Sequence, residues 1–145
     1  MNQLLLISHG GFASGARQAT ELILGPQPNL HLLELDGQKG IDIFKRELTE
    51  KISELRSRQE KLIIISDLKN GSPYNTAMEL IALNNLWDNV TLLSGMNLNL
   101  ILEIVMVLDA PVSQQMIGEI MTTACAGIHH LQPMALTTNT HDGDE

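Results

Sequence analysis

Two short loops hold most of the residues able to do chemistry. The first reads SHGGFASG, Ser8 to Gly15, and places His9 directly before Gly10 and Gly11. A neutral imidazole nitrogen is a nucleophile towards phosphorus. The product is a transferable N–P bond and a dianion that needs donors. Glycines keep side chains clear so that backbone can approach such a group. The helix expected after them offers free N–H groups and a positive dipole end. The plain alternative is a turn histidine whose ring is satisfied locally, and this loop alone leaves both readings open.

The second loop lies within SDLKNGSPYN, Ser66 to Asn75. Asp67 directly follows an apolar run, and would lie beside His9 if the two preceding strands are neighbours. A carboxylate accepting from one ring N–H fixes the tautomer and frees the other nitrogen, the part played by aspartate in hydrolase triads. Ser72 brings a hydroxyl to the same edge, and Ser72-Pro73 reads as an N-cap followed by proline at the first helical position. Locally, Asp67 as a loop acid and Ser72 as a cap alone remain open. A third loop, SGMNLN from Ser94, has Gly95 for an unusual turn; for Asn97 a structural job is the simpler reading.

These loops need a frame. QLLLI (Gln3 to Ile7), LHLLEL (Leu30 to Leu35), KLIIIS (Lys61 to Ser66) and VTLLS (Val90 to Ser94) are short apolar runs that read as strands. Helical patterns fill the intervals: Ser14 to Leu24, ending at Gly25-Pro26; a face of Ile41, Phe44, Leu48, Ile52 and Leu55, with Glu47 and Lys51 paired on its polar side; and Ser72 to about Leu86. Two more follow, Asn97 to Leu108 and Ser113 to His129, the second capped by Ser113, with a short last strand expected at Met134 to Thr137. This alternation predicts an α/β fold: a doubly wound, mostly parallel sheet of four or five strands with helices on both faces. Such sheets bind ligands at the carboxyl ends of their strands, where all three loops fall. One domain is expected over residues 1–137, with a polar, frayed tail over 138–145.

The formal net charge of −8 disfavours nucleic acid, whose binding rests on neutralising phosphates. No apolar stretch nears the roughly 20 residues of a membrane span, and MNQLLLISHGG lacks the basic start of a signal peptide. The single cysteine, Cys125, leaves no intramolecular disulfide and fits a cytoplasmic protein. His31 reads as a packed or edge residue of a strand, and His129 and His130 as the end of a helix. The histidines lack metal-ligand spacing, so neither a metal nor another cofactor is expected.

Together, SHGGFASG, SDLKNGSPYN and SGMNLNLILE resemble the IIA component of the mannose family of the bacterial phosphoenolpyruvate:sugar phosphotransferase system (PTS), and element order and length match it over nearly the whole chain. The resemblance implies a free-standing EIIA protein with a phosphohistidine intermediate. His9 would accept a phosphoryl group from HPr and pass it to an EIIB domain, with the membrane proteins EIIC and EIID downstream. It places the histidine-orienting role on Asp67 and the phosphoryl contact on Ser72. Gly10, Gly11 and Gly71 would offer backbone to the phosphate, and Phe12, Leu68 and Met96 a docking rim. A homodimer is implied, with the 134–137 strand exchanged antiparallel between subunits. The chain departs from the common pattern at Asn70 and Asn99. Three rival readings are a phosphotransferase subunit serving dihydroxyacetone kinase, a regulatory module without transfer activity, and a receiver-like domain phosphorylated on Asp67; Ser-Pro-Tyr-Asn after Asp67 favours the sugar branch, and His9 stands where a receiver needs an acidic pair.

Overall fold

A computed structural model describes residues 1–57 and 60–133. The elements in chain order are β1 (Gln3–His9), α1 (Phe12–Leu24), β2 (Leu30–Leu35), α2 (Gly40–Leu55), β3 (Leu62–Ser66), α3 (Ser72–Leu83), β4 (Val90–Ser94), α4 (Leu98–Val105) and α5 (Gln114–Ala126). The strands form one sheet, ordered β2-β1-β3-β4 and parallel throughout. The expected strand at Met134 to Thr137 and the tail lie outside the described residues.

Strand side chains alternate between faces, and both faces are covered, so the central strands are apolar without a break over Leu4 to Ile7 and Leu62 to Ile65. Leu4, Leu6, Ile63 and Ile65 belong to the core shared with Ala13 of α1 and with α4 and α5. Leu5, Ile7, Leu62 and Ile64 belong to the core shared with α2 and α3. On α2, Phe44, Leu48, Ile52 and Leu55 are buried, each side chain contributing about 1.5–3 kcal/mol of transfer free energy. Ile41 is 44% exposed, because the apolar face begins one turn later than its spacing suggested. Glu47 pairs with Lys39 at 3.1 Å rather than with Lys51, which sits 3.9 Å from Glu54.

Three ends differ from expectation in ways that matter. β1 runs on through His9, whose register partner is Leu35, so the histidine closes the strand rather than standing two residues past it. α3 stops at Leu83, three residues short of the predicted end, where Asn85 takes a positive φ of 49°. α5 ends at Ala126, leaving His129 and His130 beyond it. The chain leaves β1 for β2 on one side and returns to β3 on the other. The switch point of the sheet therefore lies between β1 and β3, the place where this class of fold opens a ligand crevice.

Candidate functional site

β1 outruns β3 at the switch point. Ile7 is in register with Ser66, the last residue of β3, and Asp67 N–H still donates to Ile7 O at 3.2 Å. Two residues on, the His9 N–H has no strand carbonyl on that side, and Asp67 Oδ2 accepts it at 3.0 Å. The same oxygen lies 2.9 Å from His9 Nδ1. A carboxylate there calls for the Nδ1–H tautomer, which leaves the Nε2 lone pair free. Asp67 is largely buried, at 11% side-chain exposure, whereas His9 is 46% exposed. The acid is thus shielded and the ring reachable.

The other edge of the ring meets backbone. Asn70 adopts a left-handed φ of 67°, Gly71 N–H closes the turn on Leu68 O at 3.1 Å, and Gly71 comes flush with the imidazole. A Cβ built on Gly71 would stand 2.8 Å from His9 Cε1 and 3.5 Å from Nε2. Glycine is therefore required here by close approach. Its φ of −76° is open to any residue.

Gly71 is also the N-cap of α3, and no side chain caps that helix end. This corrects the expectation for Ser72, which opens the helix rather than capping it, with an exposed side chain. With Pro73 lacking an N–H, the amides of Ser72 and Tyr74 are left without intrahelical acceptors, in the residues that follow the Gly71 that abuts the ring.

The N-terminus of α1 is different, and here the sequence misled. Ser8 Oγ accepts from Ala13 N–H at 2.9 Å, and Glu34 Oε2 accepts from Ser14 N–H at 2.9 Å and Ser14 Oγ at 2.7 Å. The helix end expected to offer itself to an anion already holds the Glu34 carboxylate. Gly10, at φ +50°, makes the turn and donates to Leu35 O at 2.8 Å; Gly11 is the N-cap position of α1.

Of the expected rim, Phe12 and Leu68 are 55% and 58% exposed, but Met96 is only 5% exposed and belongs to the core. The turn at Gly95, φ +90°, is followed by a residue packed inward. Phe12 borders an apolar groove of about 510 Å³ between α1 and α4. Asn97 caps α4, with Oδ1 accepting from Leu100 N–H at 2.8 Å, and Nδ2 donates to Ala124 O at 3.1 Å. Among the described residues, no three His, Cys, Asp or Glu side chains gather as a metal would require, and no helix is long and apolar enough to cross a membrane.

Sequence reading missed Glu34, which no local motif marks, and the fit of Gly71 against the ring. The Ser14 hydroxyl in a first helical turn was the one available hint of a partner.

Residues 3–121 match the family model EIIA-man, described as the PTS system fructose IIA component. The sorbose-specific EIIA component of the PTS from Lacticaseibacillus casei is 27% identical over 119 residues, covering 82% of this chain and 83% of that protein. Among solved structures, the PTS IIA protein associated with the fucose utilization operon of Streptococcus pneumoniae superposes with a TM-score of 0.78 at 28% identity, over 89% of this chain and 92% of that one. The mannose/sorbose-specific IIA subunit from Enterococcus faecalis shares the fold at a TM-score of 0.76 and 20% identity, over 90% and 95% of the two chains.

Proposed function

The chain belongs to the EIIA-man family of the sugar phosphotransferase system, and on that premise we propose that it carries a phosphoryl group on His9 Nε2. The single observation that carries this reading is the 2.9 Å contact between Asp67 Oδ2 and His9 Nδ1, which leaves the Nε2 lone pair free on a ring that is 46% exposed. Phosphorylated HPr is the donor and an EIIB domain the acceptor, with EIIC and EIID moving the sugar.

In the transfer, the Nε2 lone pair forms a bond to phosphorus as the bond from phosphorus to the donor's imidazole nitrogen breaks, and that nitrogen keeps the electron pair. The proton stays on His9 Nδ1, so the phosphorylated ring is cationic and Asp67 balances it across the hydrogen bond. The phosphoryl oxygens lie at the uncapped end of α3, where the amides of Ser72 and Tyr74 and the Ser72 hydroxyl are the available donors. Fixed donors of this kind need no reorganisation during transfer. Residues 1–137 form the working domain and 138–145 a polar tail; the protein acts in the cytoplasm, as a homodimer.

Incubation with phosphoenolpyruvate, enzyme I and HPr is expected to give one acid-labile phosphate per chain. The label should be lost in His9→Ala, and labelling that persists in that variant overturns the proposal.

A further inference from the structure

We infer that Asn75 is a positioning residue for transfer at His9, acting by pinning the peptide plane that forms the second wall of the imidazole. This rests on the reading of His9 as the phosphoryl carrier. The plane joins Asn70 to Gly71. Its carbonyl, Asn70 O, accepts from Asn75 Nδ2 at 3.0 Å. Its amide, Gly71 N–H, donates to Leu68 O at 3.1 Å. The next carbonyl, Gly71 O, accepts from the Asn75 backbone N–H at 2.9 Å. Asn75 therefore grips the backbone on both sides of Gly71, once with its side chain and once with its main chain.

That grip matters because of what Gly71 touches. Gly71 fits so closely against Cε1 that a single added carbon would fall 2.8 Å from it. Asp67 holds one side of the ring through Nδ1, and Gly71 limits rotation on the other. Residue 70 sits at a positive φ, a conformation that costs even asparagine something and persists only when its surroundings enforce it. Without the Nδ2 donor, the Asn70 carbonyl loses the partner that fixes the plane's tilt. The tilt sets the ring wall, while the next plane, which carries the Ser72 N–H, is held by the Asn75 main chain. Asn75 is exposed and on the first turn of α3, so its side chain adds little burial to stability.

The test compares wild type, Asn75→Ala and Asn75→Asp. Asparagine-to-aspartate keeps the volume but removes the donor. In the unphosphorylated proteins, the Hε1 and Nε2 resonances of His9 are expected to move in both variants while the Nδ1–H signal bound to Asp67 persists. In transfer from phosphorylated HPr, Asn75→Ala should lower kcat by about tenfold or more with KM within about twofold, as a small misplacement of a reacting group would. Its melting temperature should stay within a few degrees of wild type, roughly the effect of one exposed hydrogen bond. Unmoved His9 resonances with an unchanged kcat overturn the inference, as does a loss of kcat that appears only with a matching loss of thermal stability. If wild type itself takes no label on His9, it is the carrier reading that fails; the ring resonances still report on the positioning.

Discussion

Gly71→Ala perturbs the site by one carbon. The new Cβ would stand 2.8 Å from His9 Cε1, 3.2 Å from Leu68 O and 3.5 Å from His9 Nε2. Ordinary contact begins near 3.4 Å, so ring or loop must yield by roughly 0.6 Å. The Leu68 carbonyl blocks one way out, so the ring must turn, and turning stretches the 2.9 Å bond from Nδ1 to Asp67. That bond is charge-assisted but half exposed on the histidine side, and its weakening should cost about 1 kcal/mol. The effect on transfer should be larger, because displacing a reacting atom by about 1 Å commonly costs on the order of a hundredfold in rate. The backbone tolerates the change: φ is −76° and ψ 169°, both ordinary for alanine, so stability should move by no more than about 1 kcal/mol. Rapid-quench measurement of label transferred from phosphorylated HPr, beside a thermal melt, separates the two. We expect a rate loss of about 10- to 100-fold with a nearly unchanged melt. Transfer at the wild-type rate would refute the argument that Gly71 is a steric wall.

Asp67→Ala removes the acceptor of both His9 N–H groups and is expected to slow transfer by about 10- to 100-fold. Its stability cost should stay near 1–2 kcal/mol in a denaturant titration, because the change also removes Asp67 Oδ1, which is buried without a partner; a much larger loss would recast Asp67 as a scaffold residue. His31 carries a pH dependence. Burial first, and the Lys51 ammonium second, hold its pKa below the usual 6.5, with Glu54 opposing. The neutral ring, whose Nε2 lies 2.8 Å from Gln3 Oε1, therefore contributes stability that is present above the unfolded value and lost as pH falls through it towards the lowered folded value. Unfolding midpoints taken from about pH 7.5 to about pH 5.5 should fall more steeply for wild type than for His31→Gln; parallel curves would contradict the assignment.

Much of this site could be read from the chain because its parts are local. Apolar runs marked β2 and β4 to the residue, since loop residues with no strand preference bound them. Asp67 beside His9 followed from one topological expectation, that β1 and β3 are neighbours. What escaped depends on contacts between distant segments. β1 continues to His9 because β2 supplies a partner as far as Leu35, which the polar run Ser8-His9-Gly10 hides. Glu34 sits on a different strand from the helix end it satisfies, 20 residues from Ser14, so the anion site was read onto α1 as well as onto α3, and of those two ends only α3 has no side chain on its amides. Ser72 looked like a cap by type, but the backbone at Gly71 already turns the chain into the helix. Met96 was read as rim with Phe12 and Leu68; instead the positive φ of Gly95 precedes a side chain buried in the core.

Phosphoryl transfer by the proposed route requires that Nε2 of His9, and not Nδ1, carries the phosphoryl group. Phosphorylating the protein with its histidines labelled by nitrogen-15, then recording long-range proton–nitrogen and phosphorus spectra, reads this without relying on a variant. The expected spectrum has the phosphoryl group on His9 Nε2 and a proton retained on Nδ1 opposite Asp67. A phosphoryl group on Nδ1, or on any residue other than His9, would contradict it.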